Sequence, residues 1–441
     1  MATGSTIFAL SSGAGRSGVA VVRVSGPAAD AALRALAGVV PEPRRAQVRM
    51  LRDPERGVAL DQSLVLWFPG PASFTGEDCA EFHVHGGRSV VAAVLGALGR
   101  VKGLRLAEPG EFTRRAFENS KLDLTQAEGL ADLIDAETEA QRLQALRQMD
   151  GSLRAAADGW RADIVQAMAL VEAAIDFSDE GDVSTRTFAQ AREIVGGLAG
   201  QLGAALDDGR RGEILRDGYR VVIAGPPNVG KSSLINALSR RDVAIVSDEP
   251  GTTRDVVEVR LDLGGVPVLI MDTAGLRADA GRVEQEGIRR ALARVGEADL
   301  VLWVVDATDP VLEPPAELAI GDRAMLVVLN KVDIGLPIAG VVHAVSTVTG
   351  NGLAALIDDI GRRAGAAAGR GESPLVTRAR HRALLTEALA GCRDFLQGAE
   401  GETELRAEDL RRTMQALGRL TGRVDVEEVL GEIFGRFCIG K

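Results

Sequence analysis

The sequence predicts a multidomain fold: an α+β domain first, then a discontinuous α-helical domain with an α/β domain inserted into it. Three observations predict this. The first 118 residues carry β-like alternation and turn signals. Residues 121–215 lack proline and read as long helices, and that texture returns after Ser373-Pro374. Between the two helical blocks, residues 219–364 alternate short apolar runs with helical stretches. Such alternation implies a parallel, doubly wound sheet. Insertion of one domain into another is favoured where domain ends lie close together. The expected boundaries are 1–118, 119–215, 216–370 and 371–441, with the second and fourth segments forming one helical domain.

Each element has its own signal. Residues 19–24 read as a strand that stops at Ser25-Gly26-Pro27, and residues 28–37 as a helix. Residues 64–68 and 80–84 read as two more strands, followed by a turn at Gly86-Gly87. Leu122, Leu124, Ala127, Leu130, Ala131 and Ile134 then recur at helical spacing. The helical texture breaks at 176–183. The apolar runs 221–224, 267–271, 300–305 and 325–329 read as strands of the α/β domain, and helices resume from Thr377.

Composition narrows the function. Lys and Arg number 51 against 62 Asp and Glu, a formal net charge of −11, which disfavours a general nucleic-acid binder. Aromatic residues make up only 3%, too few for a base-stacking platform. Cys79, Cys392 and Cys438 are widely spaced, with no disulfide framework or zinc pattern. Residues 1–18 lack a signal-peptide pattern, and apolar runs such as 300–305 are far shorter than the roughly 20 residues that span a bilayer. A cytoplasmic chain with no membrane segment is expected.

Four motifs in order carry the chemistry. Gly225-Pro226-Pro227-Asn228-Val229-Gly230-Lys231-Ser232 fits the phosphate-binding P-loop, placed between a strand and a helix. Its backbone N–H groups would face phosphates, Lys231 would reach the β and γ phosphates, and Ser232 would hold Mg²⁺, with Ser233 next in the helix. Gly251-Thr252-Thr253 suits a switch loop, in which Thr253 would sense Mg²⁺ and the γ-phosphate. Asp272-Thr273-Ala274-Gly275 follows a strand; Asp272 would support Mg²⁺ through water and the Gly275 N–H would meet the γ-phosphate. Asn330-Lys331-Val332-Asp333 supplies a carboxylate at Asp333 that accepts from guanine N1–H and the 2-amino group, which selects GTP. Ser346-Thr347-Val348 would touch guanine O6 through a backbone N–H. Together these predict a GTPase. Leu276 stands where many GTPases carry a water-orienting glutamine, so hydrolysis must draw on another group, with Glu284, Arg254, Arg277 or a bound cation as candidates.

Motifs outside this domain point to a family. They are Thr6-Ile7-Phe8-Ala9, Val22-Arg23-Val24-Ser25-Gly26, Ser73-Phe74-Thr75-Gly76-Glu77-Asp78 and His85-Gly86-Gly87. Further along come Pro109-Gly110-Glu111-Phe112-Thr113-Arg114-Arg115-Ala116-Phe117, Lys121-Leu122-Asp123-Leu124 and Phe437-Cys438-Ile439-Gly440-Lys441. The chain resembles the MnmE (TrmE) family of tRNA-modification GTPases over essentially its whole length. The resemblance implies an N-terminal tetrahydrofolate-binding α+β domain, a discontinuous helical domain and an inserted P-loop GTPase (G) domain. It implies a homodimer whose G domains pair in a K⁺-dependent way. It also implies an FAD-containing partner, MnmG, in a heterotetramer or larger complex. The pair would place an aminomethyl or carboxymethylaminomethyl group on C5 of the tRNA wobble uridine. The carbon would come from 5-formyl- or 5,10-methylene-tetrahydrofolate.

Carried over by position, Arg23, Glu81, Lys121 and Lys441 would bind the folate. Asn228, Ser247, Glu249 and Thr252 would surround K⁺; Ser232 and Thr253 would hold Mg²⁺; Glu284 would activate water. Asp248, Pro250 and Gly251 complete the loop around the nucleotide. Ser247, Glu249 and Pro250 depart from the Thr, Ile and Ala common in the family, a change that main-chain carbonyl ligands tolerate. Three competing readings stand beside this one. Glu81, His83 and His85 alternate along one strand face and could ligate a metal. A ribosome-assembly or regulatory GTPase switch needs no modifying chemistry, and a stand-alone folate-dependent transferase needs the GTPase only for control. The cluster Arg378, Arg380, His381 and Arg382 reads either as a tRNA contact or as a solvated helix end.

Overall fold

The computed structural model describes residues 4–13, 15–176, 181–241, 243–245, 258–272, 296–315, 324–336, 338–369, 374–398, 402–424, 427–435, 437 and 439–440. The chain divides into two compact units, Met1–Ala131 with Leu417–Lys441, and Asp132–Ala416.

The first unit is built on a six-stranded sheet. In chain order its elements are β1 (Thr6–Leu10), β2 (Ser17–Ser25), α1 (Ala29–Ala37), β3 (Gln47–Arg52), β4 (Ala59–Phe68), β5 (Cys79–Gly86), α2 (Arg88–Leu98), β6 (Leu104–Leu106) and α3 (Glu111–Glu118). The strand order is β3-β4-β5-β2-β1-β6, antiparallel except for the β1–β6 pair. Alternation explains the two faces. Val22 and Val24 of β2 and Ala80, Phe82 and Val84 of β5 are buried on one side, with Leu33 and Leu36 of α1 and Val94 and Leu98 of α2. α1 buries Ala29, Ala32, Leu33 and Leu36 at helical spacing and stops at Gly38, whose left-handed backbone (φ 75°) lets its N–H reach Arg34 O. Arg23, Glu81 and His83 therefore belong to the opposite face. There α3 brings Phe112 against Ile7 and Ala9. The strands expected at 19–24, 64–68 and 80–84 are present and longer; β1, β3 and β6 are additional. β3 leaves Val48 and Met50 exposed at the sheet edge, which is why its apolar pattern did not read as a buried strand.

Two helices straddle the division between units, α4 (Leu124–Ile134) and α12 (Thr403–Thr421), and α13 (Glu427–Gly435) belongs to the first unit. The chain then returns to β1. Ile439 bridges Pro109, and a Cβ on Gly440 (φ 101°) would run into the carbonyl oxygen of Leu10.

The second unit holds helices and a second sheet. Its helices α5 (Glu139–Met149), α6 (Ser152–Asp176), α7 (Gly181–Asp207) and α8 (Gly209–Asp217) match the predicted helical block. α5 opens with a capping box, in which Thr138 and Gln141 satisfy each other's backbone N–H groups. Trp160 Nε1 donates to Gln201 Oε1 at 3.1 Å across α6 and α7. The sheet follows: β7 (Tyr219–Ala224), α9 (Lys231–Ser239), β8 (Glu258–Leu263), β9 (Val266–Asp272), β10 (Leu300–Asp306), β11 (Ala324–Asn330), β12 (His343–Ala344), α10 (Leu353–Ala368) and α11 (Ala379–Gln397). Its order is β12-β11-β10-β7-β9-β8. The expectation of a parallel sheet holds for every pair except β8–β9, which is antiparallel. Gly264-Gly265 joins β8 directly to β9, and a connection that short permits only an antiparallel hairpin. β7 lies at the point where strand order reverses, and ligands of such sheets bind beyond the carboxyl ends of the strands there.

The connections into and out of this sheet converge on one carboxylate. Asp132 Oδ1 accepts from Arg216 Nε at 3.0 Å, just before β7, and from Arg378 Nη2 at 2.6 Å, just before α11. Gln141 Nε2 donates to Arg216 O and Gln144 Nε2 to Pro374 O, so α5 also holds both connections. Three members of the basic cluster have partners or burial within the fold. Arg378 pairs with Asp132, Arg382 with Glu213 at 2.9 Å, and His381 is fully buried.

Candidate functional site

The P-loop connects β7 to α9 and is shaped by left-handed backbone. Gly225 (φ 151°), Asn228 (φ 65°) and Gly230 (φ 96°) all lie at positive φ. A Cβ on Gly225 would strike Val304 O, and one on Gly230 would strike Asn330 Nδ2. Both glycines are therefore required by close approach as well as by conformation. Val229 is buried, whereas Asn228, Ser232 and Ser233 face outward. Lys231 Nζ donates to Gly225 O at 2.9 Å and Pro226 O at 2.8 Å, arching over the loop. Ser232 Oγ donates to Asp272 Oδ2 at 3.3 Å, so the ends of α9 and β9 bring two hard oxygen donors together. That pair fits a Mg²⁺ ion.

The two loops expected to read the base follow β11 and β12. Asn330 is buried, and its Nδ2 donates to Val229 O at 2.9 Å, tying this loop to the P-loop. Lys331 (φ 63°) reaches Asp306 Oδ2 at 2.6 Å. Burial works to raise the Asp306 pKa, but hydrogen bonds from Lys331 and Thr308 hold it below the ordinary carboxylate range. Asp306 is a residue that sequence reasoning missed; its signal was an acid at the last position of an apolar strand, beside the nucleotide end of the sheet. Asp333 is exposed. Val332 N donates to Val345 O at 3.3 Å and so places the Asp333 loop beside residues 346–348. Ser346 is buried, and Val348 is exposed.

In the first unit, Arg23 and Glu81 are direct cross-strand partners on β2 and β5. Arg23 Nε and Nη2 donate to Glu81 Oε1 at 3.0 and 2.9 Å, and His83 Nε2 donates to Glu81 Oε2 at 3.1 Å. The His83 hydrogen bond, followed by the Arg23 charge, lowers the Glu81 pKa against the opposing effect of burial. Glu81 is thus an ionised acceptor. The Arg23 guanidinium lies 5.2 Å from the Phe74 ring centroid and 5.9 Å from that of Phe112. The loop carrying Phe74 is held by Arg115, whose Nη1 donates to both Glu77 oxygens, at 3.1 and 3.0 Å, and by Asn119, which donates to Thr75 O. Phe74, Phe112 and Arg115 were visible only as parts of quoted motifs. Lys121 lies along the same loop: a Cβ on Gly76 would meet its Cγ at 3.3 Å.

The third residue of the metal reading goes elsewhere. His85 Nδ1 bonds Asp61 Oδ1 at 2.8 Å, and among the described residues no group of three or more His, Cys, Asp or Glu side chains could hold a metal ion. Ser247, Asp248, Glu249, Pro250, Gly251, Thr252, Thr253, Thr273, Ala274, Gly275, Glu284 and Lys441 lie outside the described residues, as do Arg254, Leu276, Arg277 and Cys438. Among the described residues no helix is long and apolar enough to cross a membrane.

Comparison with known proteins agrees along the whole chain. The family model of the GTP-binding protein TrmE N-terminus matches residues 6–121, and that of the MnmE helical domain matches residues 124–438. The tRNA modification GTPase MnmE of Parvibaculum lavamentivorans is 55% identical, covering 99% of this chain and 100% of that protein. The protein of the same description from Beijerinckia indica is 54% identical, over 100% and 97%. That of Methylorubrum populi is 56% identical, over 99% and 98%. Among solved structures, the G domain of the T. maritima FeoB iron transporter is 28% identical, with 33% of this chain and 99% of that one covered at a TM-score of 0.27. Taken with the P-loop between β7 and α9, the two family models and the full-length relatives show that the chain belongs to the MnmE (TrmE) family, the multidomain GTPase enzymes of tRNA modification.

Proposed function

We propose that this GTPase acts with an FAD-containing partner, MnmG, to add a (carboxymethyl)aminomethyl group to C5 of the wobble uridine of certain tRNAs, drawing one carbon from a tetrahydrofolate. The observation that carries the reading is the pairing, in one chain, of a phosphate cradle with a polar sheet face built around an ionised glutamate. Glu81 offers two oxygens suited to an amino-pyrimidine edge, and Arg23 lies between two aromatic rings at hydrogen-bond distance from it. Those groups fit a reduced folate, with Lys121 and Lys441 suited to its carboxylate tail. Bound folate would supply a carbon at the formyl or methylene oxidation level; the protein's part is to orient it.

In the second unit, Lys231 exchanges its loop carbonyls for phosphate oxygens. Asp333 accepts from guanine N1–H and the 2-amino group, and Thr347 or Val348 donates to O6. Ser232 and Thr253, with Asp272 behind, would hold Mg²⁺, and the ion would supply positive charge to offset that of the phosphates. Asn228, Ser247, Glu249 and Thr252 are the K⁺ ligands of this reading, and Glu284 positions water for attack in place of the glutamine that Leu276 replaces. The chain works as a homodimer, and its domains are residues 1–118, 119–215 with 371–441, and 216–370.

The test is nucleoside analysis of tRNA from a deletion strain complemented with this chain. The expected result is restored C5-modified wobble uridine; an unmodified profile despite normal expression overturns the reading. In a separate assay, replacing K⁺ with Na⁺ should reduce GTP turnover strongly, and equal rates would remove the cation from the mechanism.

A further inference from the structure

We propose that His343 and Asp359 form a positioning pair that sets the turn at residues 346–348 and thereby fixes discrimination at the purine 6-position. This deepens the guanine reading given above and rests on it.

The turn is read from its flanks. Before it comes β12, only two residues long and at the edge of the sheet, in register Val328↔His343 and Leu329↔Ala344. After it comes α10, whose first residue follows Gly352. Gly352 adopts φ 74°, and a Cβ there would strike Ala344 O, so the two flanks meet with no room between them. A two-residue strand supplies few ladder bonds with which to hold its register. The side chain of His343 supplies the missing restraint. Its Nε2 lies 2.9 Å from Asp359 Oδ2, on the second turn of α10, and both residues are only 6% exposed.

The hydrogen bond of the pair has one direction. Burial works to raise the Asp359 pKa, but hydrogen bonds from His343 and Arg363, with the nearby charge of Arg362, lower it. Arg362 Nη2 donates to Oδ1 at 2.7 Å, and Arg363 Nε to Oδ2 at 3.3 Å. An ionised carboxylate only accepts, so the imidazole carries its proton on Nε2. That proton fixes the ring on Asp359.

The turn itself is arranged to present donors. Thr349 N donates to Ser346 Oγ at 3.1 Å, Gly350 N to Ser346 O at 2.9 Å, and Ser346 N to Asn351 O at 3.0 Å. Among the described residues the N–H groups of Thr347 and Val348 are left without an acceptor. They are the donors for an acceptor at the purine 6-position. The 2-amino edge falls to Asp333, on a different loop. The restraint at His343 therefore acts on one edge of the base and not on the other.

The experiment measures kcat/KM of the full chain for GTP, 6-thio-GTP and ITP. Sulfur at position 6 replaces only the O6 acceptor; inosine lacks only the 2-amino group. His343→Phe keeps ring volume and removes the donor. It should lower the preference for GTP over 6-thio-GTP about 10-fold, through KM with kcat within about twofold, and leave the preference for GTP over ITP unchanged. His343→Gln, which keeps an N–H donor, should restore most of the loss. Should His343→Phe not fold, Asp359→Ala, which removes the acceptor, carries the same measurement. A 6-thio-GTP ratio within about twofold of wild type, or an equal fall in both ratios, overturns the proposal. Asp333→Asn serves as the control, since it should exchange GTP preference for XTP. Its failure to do so would sink the guanine reading itself, whatever His343 does.

Discussion

The nucleotide cradle and the polar face around Glu81 are built in opposite ways. The cradle is contiguous: residues 225–232 turn within themselves, with Asn330, Val304 and Asp272 reaching them from the ends of other strands. The polar face is assembled from afar. Arg23 and Glu81 meet across two strands, Phe74 arrives on a loop and Phe112 on a helix, and Ile439–Gly440 return to β1 nearby in the same unit. A contiguous site is specified by its own backbone conformations. An assembled site is specified by register, so it depends on the whole sheet being right.

Perturbations should separate the two. The largest effect is expected at the cradle. Gly225→Val puts a branched side chain at φ 151° and into Val304 O, so GTP affinity should fall by about 100-fold or more, read by equilibrium titration. A loss below about threefold would show that the loop has room to adjust. Next comes Arg23→Ala. Loss of a charged hydrogen-bond partner should weaken tetrahydrofolate binding roughly 10- to 100-fold while GTP turnover stays within about twofold. A matching loss of turnover would show that the two sites are not separable. Third is the shared carboxylate of the second unit. Asp132→Ala leaves Arg216 and Arg378 without their common acceptor and should cost about 1–3 kcal/mol, read as a lower midpoint in urea with the KM for GTP unchanged.

Two smaller effects sharpen the contrast. Glu81 is held below its ordinary value of 4.5, so its contribution to stability is complete above that pH and is lost as pH falls through the depressed folded value. Glu81→Gln should flatten the acid limb of the unfolding midpoint against pH. Cys392 should give the least response. Burial pushes its thiol up to about 11, so it should resist alkylation at pH 8 until the chain unfolds. Rapid labelling in the native protein would contradict that.

The same contrast explains what the sequence could show. Residues 225–232 carry their chemistry in neighbouring letters, so the loop, Lys231 and Ser232 were legible, as was the order of strands and helices around them. The antiparallel β8 was not, because an edge strand alternates and forms no solid apolar run; Val259, Leu261 and Leu263 are inward while Glu258 and Arg260 face out. Arg23 and Glu81 were legible through resemblance, yet their mutual bond needs the β2–β5 register, which no local pattern encodes. Arg378 and His381 looked like a surface patch because their partners, Asp132 and the buried helix face, lie hundreds of residues away or appear only on packing.

The return of Ile439–Gly440 to the first strand has a consequence for biosynthesis. Leu10 and Pro109 leave the ribosome early, and the residues that complete their surroundings are translated only after the entire second unit. The first unit must wait, partly finished, while the nucleotide domain has every segment it needs to fold. A message cut short just after Gln397 would then yield a chain that carries the whole second sheet with its packed helices but lacks the segment that meets Leu10 and Pro109 in the other unit.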